Sequence, residues 1–125
     1  MQRRALILFA HGARDPRWAA PFEKLQQIIQ QAQPELAVRN AYLEFMQPDL
    51  PTAVAQLAQE KCGDITIVPV FLGQGGHVLR DLPLLTADLR EQYPGLRLSQ
   101  ADAVGEDASV LQSIAQYCLR AMAPV

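Results

Sequence analysis

Short apolar runs and helical apolar stripes alternate along the chain. Ala5 to Ala10 is an unbroken apolar run of strand length, and Phe22, Leu25, Ile28, Ile29 and Ala32 then recur at the three- and four-residue spacing of one helix face. A second strand is expected over Ala37 to Phe45. The helix after it carries Val54, Leu57, Ala58 and Lys61, opened by Asp49 as a cap and closed by Gly63. Asp64 to Phe71 reads as the third strand, after which Asp81 caps a helix bearing Leu82, Leu85 and Leu89 that Pro94 and Gly95 stop. Leu96 to Ala101 supplies a fourth strand, and Val110, Leu111, Ile114, Ala115, Cys118 and Met122 line one face of a last helix.

Strands that alternate with helices join by right-handed crossovers into a parallel sheet covered on both faces, which explains why the first and third strands are apolar without alternation. The expected fold is α/β: a four-stranded parallel sheet flanked by helices in a Rossmann-like or flavodoxin-like layer, one domain over residues 1–125. Two prolines constrain it. Pro69 lacks a ladder donor and belongs near the third strand's end or at an edge, and Pro21 makes the first helix begin about there or kink early.

A chain of 125 residues, 50% hydrophobic, suits one ordinary domain with a real core. The net charge of −2 and the scattered basic residues exclude the electrostatic footprint that nucleic-acid binding requires. Cys62 and Cys118 lie far apart in helix-like contexts, as reduced and partly buried thiols do. The opening MQRRALILFAHGA imitates a signal peptide, but its apolar run is shorter than a secretory core and no segment reaches membrane-spanning length. A cytoplasmic protein without membrane contact is expected.

In open parallel sheets ligands bind beyond the carboxyl ends of the strands. His11 directly follows the first strand, Glu44 closes the second and His77 lies in the loop after the third, at equal 33-residue intervals. The two are the chain's only histidines. Taken singly, each also fits a core position; it is the shared edge that points to a site. Imidazole and carboxylate without thiolates suit an exchangeable Co²⁺, Fe²⁺, Ni²⁺ or Zn²⁺. The arm Gly73 to Gly76, with Gly73, Gly75 and Gly76, either lets backbone approach a bulky ligand or is a plain long turn. Arg14, Arg17 and Arg80 near the same rim suit the carboxylates of a ligand, or are solvated charges. No phosphate loop, GxGxxG turn or GxSxG elbow is present, so neither a nucleotide cofactor nor a serine nucleophile is expected.

The segments FAHGARDPRW, YLEFMQPDLP around Glu44 and VPVFLGQGGHVLRDLP around His77 together resemble the small class II chelatases, the sirohydrochlorin cobaltochelatase and ferrochelatase group. The resemblance spans essentially the whole chain, in the same order. It implies ATP-independent insertion of a divalent metal, Co²⁺ first and Fe²⁺ or Ni²⁺ next, into sirohydrochlorin on the way to cobalamin or siroheme. It implies that His11 and His77 are the paired histidines that bind metal and assist the chemistry, with Glu44 as acidic partner. Longer members carry two such halves; short members like this one act as homodimers with a cleft between subunits. Phe45, Met46, Val78 and Leu79, beside the loops, suit such a contact. The histidine-rich stretch of some relatives is absent.

Two other readings stand beside it. Histidine phosphatases also place a histidine after the first strand, but they require an arginine just before it, where this chain has Ala10. A flavodoxin-like carrier would hold metal or tetrapyrrole without turnover, a difference that absorbance spectra with sirohydrochlorin and Co²⁺ resolve.

Overall fold

The apolar runs pair side by side. The computed structural model describes residues 3–73 and 76–122, with the backbone alone for 76–79. In chain order the elements are β1 (Arg3–Ala10), α1 (Ala20–Ala32), β2 (Ala37–Tyr42), α2 (Leu50–Gln59), β3 (Cys62–Pro69), α3 (Gly76–Gln92), β4 (Arg97–Gln100) and α4 (Ala108–Met122), with 3-10 turns at Pro16–Ala19 and Val104–Glu106. Among the described residues the sheet has four strands, all parallel, in the order β2-β1-β3-β4. β1 is central, which is why Ile7, Leu8, Phe9 and Ala10 are all buried.

The main core lies on one face of the sheet. Ile7 and Phe9 of β1, Ile65 and Ile67 of β3 and Leu98 of β4 pack there against Leu50, Val54 and Leu57 of α2 and Leu82 and Leu89 of α3. Each such side chain contributes about 1.5–3 kcal/mol by leaving water. On the other face a smaller cluster joins Ala10, Ala19 and Tyr42 with Trp18, Phe22 and Met46. α1 also closes the free edge of β2 with amides: Gln26 Nε2 donates to the Val38 carbonyl at 2.7 Å, and the Val38 N–H donates to Gln30 Oε1 at 3.2 Å. An edge strand whose backbone is already bonded is a poor template for foreign strands.

Both prolines fall where chain stereochemistry allows. Pro21 sits in the first turn of α1, and Pro69 is the last residue of β3. Asp49 caps α2, its carboxylate accepting the Thr52 N–H at 2.9 Å. This hydrogen bond holds the Asp49 carboxyl below its ordinary pKa. Its stabilisation is therefore complete above about pH 4 and lost as pH falls through the depressed folded value. Asp49→Ala is expected to cost about 1 kcal/mol. Urea unfolding at pH 7 and pH 3 checks this, because the penalty shrinks at the lower pH.

Several boundaries differ from the periodicity. β2 stops at Tyr42, not Phe45, because residues 43–48 form a loop whose base is closed by the Tyr42 N–H donating to the Pro48 carbonyl at 2.9 Å. Gly63 lies inside β3; the chain leaves α2 through Lys61 in the left-handed region, φ 68°. α3 starts at Gly76, so Asp81 is an exposed residue within the helix and not its cap, and Pro83 is accommodated inside the same helix. The packing of Leu82 and Leu89 on the core holds this helix together despite the missing hydrogen bond. α4 has no buried residue, so Cys118 is exposed, whereas Cys62 is buried and its thiol pKa is pushed up chiefly by that burial. No helix among the described residues is long and apolar enough to cross a membrane.

Candidate functional site

The outgoing connections of the neighbouring strands β1 and β3 diverge: β1 runs on to β2 at one edge of the sheet and β3 to β4 at the other. Their carboxyl ends therefore flank a switch point, where loops part and leave a crevice. His11 follows β1 at this point and is exposed. Its ring lies against that of Phe71, just beyond β3, with centroids 4.3 Å apart. Phe71 is buried and meets Phe9 edge-on, so the imidazole rests on a fixed apolar support.

Backbone bonds continue past the strand ends and weld the three segments together. The Leu43 N–H donates to the Ala10 carbonyl at 2.9 Å, the Glu44 N–H to the His11 carbonyl at 3.0 Å, and the Val70 N–H to the Phe9 carbonyl at 2.7 Å. Glu44 is exposed two residues beyond the end of β2, so it belongs to the loop and does not close the strand. Gly12 makes the close approach possible. Its φ is +88°, and a Cβ there would lie 1.9 Å from the Glu44 carbonyl oxygen. Only glycine combines that backbone with that contact.

The loop of Glu44 also presents Phe45, at φ 67° and 57% exposed, with the Arg14 guanidinium 4.7 Å above its ring. Met46 instead packs inward, on the cluster of Ala10, Ala19 and Tyr42. Arg17 is engaged by its own neighbour: its guanidinium donates to both carboxylate oxygens of Asp15 at 2.7–3.1 Å, and this holds the Asp15 carboxyl below the usual range.

Across the crevice, Gly73 is exposed, Gly75 lies outside the described residues, and Gly76 opens α3. His77 follows in the first turn of α3, not in a loop; its side chain lies outside the described residues, as do those of Val78 and Leu79. Arg80 is exposed in the next turn. The arm's root is held by Gly105, whose N–H donates to the Phe71 carbonyl at 2.9 Å and where a Cβ would lie 1.8 Å from the Leu72 carbonyl oxygen. Among the described residues no three His, Cys, Asp or Glu side chains converge to hold a metal ion. His11 and Glu44 supply an imidazole and a carboxylate on adjacent segments. A cleft of about 430 Å³ between Lys61–Gly63 and Gln92–Leu96 lies at the opposite, amino-terminal edge and shares no residue with this rim.

The CbiX family model matches residues 5–121, which takes in β1 from Ala5 onward, the other three strands and both sides of the crevice. The chain belongs to the CbiX family. A CbiX protein of cobalamin (vitamin B12) biosynthesis from Marinobacter aquaeolei VT8 has the same fold, with a TM-score of 0.83 and 28% identity over 95% of this chain and 97% of that one. A sirohydrochlorin cobaltochelatase of Methanocaldococcus jannaschii is 32% identical over 71% of this chain, which spans 62% of that relative's length. One of Saccharolobus islandicus is 27% identical over 84% of this chain and 85% of its own. The expected resemblance to small class II chelatases and the expected sheet flanked by helices both hold.

For this CbiX chain the sequence reading missed Gly12, Phe71 and Gly105. The glycine in FAHG was visible as a residue after a strand, but the carbonyl it admits belongs to a distant segment. Nothing local distinguishes Phe71 or Gly105 from ordinary core and turn residues.

Proposed function

We propose that this chain inserts a divalent metal into sirohydrochlorin without ATP, Co²⁺ before Fe²⁺ or Ni²⁺, in cobalamin or siroheme biosynthesis in the cytoplasm. One observation carries the reading: in a CbiX-family chain, His11 and the Glu44 segment are bonded together at the sheet's switch point. The reaction takes a metal dication and the free-base macrocycle to the metallated macrocycle and two protons. The metal sheds water, and two pyrrole N–H groups lose their protons. His11 and His77 present the metal and accept protons, and Glu44 adds a negative ligand that balances the dication. The arm containing Gly73, Gly75 and Gly76 lets backbone approach the macrocycle. Arg14 and Arg80 pair with its carboxylates.

Sirohydrochlorin is a broad ligand, and one rim offers no facing wall, so a second copy supplies the other side of the cleft. The decisive experiment is an absorbance assay with sirohydrochlorin and Co²⁺ in excess over protein. Many product equivalents per chain support the chelatase; a single equivalent that stays bound makes the protein a carrier. Arg14→Ala is expected to raise KM for the tetrapyrrole about five- to tenfold with little change for the metal. Arg17→Ala, whose partner is Asp15, should leave both constants near wild type. Steady-state kinetics with each substrate varied in turn checks the pair.

A further inference from the structure

We infer that the Phe45 ring is the platform on which one face of the tetrapyrrole rests, and that Arg14, held against that ring, is thereby aimed at the macrocycle's carboxylates. The inference rests on the metal-insertion reading for the identity of the ligand, and it adds the residue that orients it. Phe45 is strained and contributes nothing to the core. Its φ of 67° lies in the left-handed region that glycine and asparagine enter readily and a bulky side chain does not. It belongs to neither apolar cluster and is 57% exposed. Its neighbours impose this conformation. The Glu44 N–H is bonded to the His11 carbonyl, Met46 packs inward, and the Tyr42 N–H closes the base of the loop on the Pro48 carbonyl. Between two anchored residues the backbone turns and delivers the ring to solvent beside Glu44. A strained phenylalanine outside the core serves a contact that the fold does not itself supply.

The surroundings define that contact. The Arg14 guanidinium lies 4.7 Å from the ring centroid, so one face of the ring carries a cation. Unlike Arg17, which is tied to Asp15, Arg14 has no ion-pair partner among the described residues. A guanidinium resting on an aromatic face keeps its in-plane N–H donors for an anion. On the β3 side of His11, Leu72 is 64% exposed, with its backbone held close to Gly105. An aromatic face, an apolar flank and an unpaired cation therefore stand around the imidazole.

An anion alone has no use for the ring, and an apolar ligand alone has no use for the cation. A conjugated macrocycle bordered by carboxylates matches both. Stacking on Phe45 fixes the tilt of the macrocycle against His11 and Glu44, and the pairing of Arg14 with a carboxylate fixes its rotation. Phe45 is thus a positioning residue for the tetrapyrrole and has no part in holding the metal.

Two measurements on the full chain test this. Quenching of Trp18, the single tryptophan, by sirohydrochlorin added without metal gives affinity, and steady-state Co²⁺ insertion gives turnover. Phe45→Asn suits the left-handed backbone but removes the ring. It is expected to weaken sirohydrochlorin binding about tenfold while its Tm stays at or above that of the wild type. Phe45→Trp should hold affinity within about twofold of wild type, whereas Phe45→Leu, apolar but without an aromatic face, should not. KM for Co²⁺ should stay near wild type in all three. Phe45→Asn combined with Arg14→Ala should cost less than the product of the two single losses, because the ring positions the guanidinium. Wild-type affinity in Phe45→Asn overturns the inference, and so does equal affinity in Phe45→Leu and Phe45→Trp. A sedimentation coefficient that changes in ligand-free Phe45→Asn places the ring between copies of the chain and overturns it as well. A wild type that binds sirohydrochlorin without turning it over overturns metal insertion alone, since the affinities still decide the role of Phe45. A wild type that does not bind it overturns both.

Discussion

Replacing His11 with alanine should lower metal insertion by about 100-fold or more while leaving the circular dichroism spectrum that of the wild type. The two halves of this expectation have separate causes. His11 is exposed beyond the end of β1, and its side chain touches the fold through the face of Phe71. The hydrogen bond that ties this position to Glu44 uses the backbone carbonyl, which alanine retains. Under the proposed function, what the variant loses is the imidazole, as metal ligand and proton acceptor. His77→Ala should act alike, and Glu44→Gln should lower the rate about tenfold by removing a charge and a base while keeping the shape. Wild-type turnover in both histidine variants would assign the histidines to structure. Collapse of the fold in both would do the same.

Gly12→Ala is expected to destabilise the protein by about 3 kcal/mol or more, near 10 °C in Tm for a chain of this size. Two penalties add. At φ +88° an L-residue is strained, and its Cβ would sit 1.9 Å from the Glu44 carbonyl oxygen, so one of the two backbones must move. The segment that moves carries Glu44, and its hydrogen bonds to Ala10 and His11 break with it. Metal insertion should therefore fall further than the loss of folded protein accounts for. Differential scanning calorimetry and activity per folded chain measure the two effects. A Tm within about 2 °C of wild type would show that the loop yields without cost and that the tight contact does not position Glu44.

Much of the architecture was legible because side-chain periodicity reports burial, and burial is what strands and helices repeat along the chain. The alternation at Ala5–Ala10, Phe22–Ala32 and Asp64–Phe71 led to a parallel α/β sheet, and the rule that sites gather at carboxyl ends led to His11 and Glu44. The errors came where local signals compete with tertiary ones. Gly76 and His77 read as loop residues and Asp81 as the helix cap, yet α3 begins at Gly76 and runs through Pro83, with Leu82 and Leu89 anchored in the core. Phe45 extends an apolar pattern, yet it lies on an exposed loop whose base is closed by a bond from Tyr42 to Pro48.

The sequence by itself determined the kind and order of the elements, the edge at which the histidines fall and the family the chain resembles. These follow from spacing within short segments and from motifs read in place. Only the tertiary structure decided that Gly12 holds the Glu44 backbone against His11, that Phe71 backs the imidazole, and that α4 stands away from its own sheet. Each of these is a contact, or a missing contact, between segments distant in sequence. An amphipathic pattern states that a helix has an apolar side, but the surface that covers it is set by where the rest of the chain, or a second chain, comes to lie.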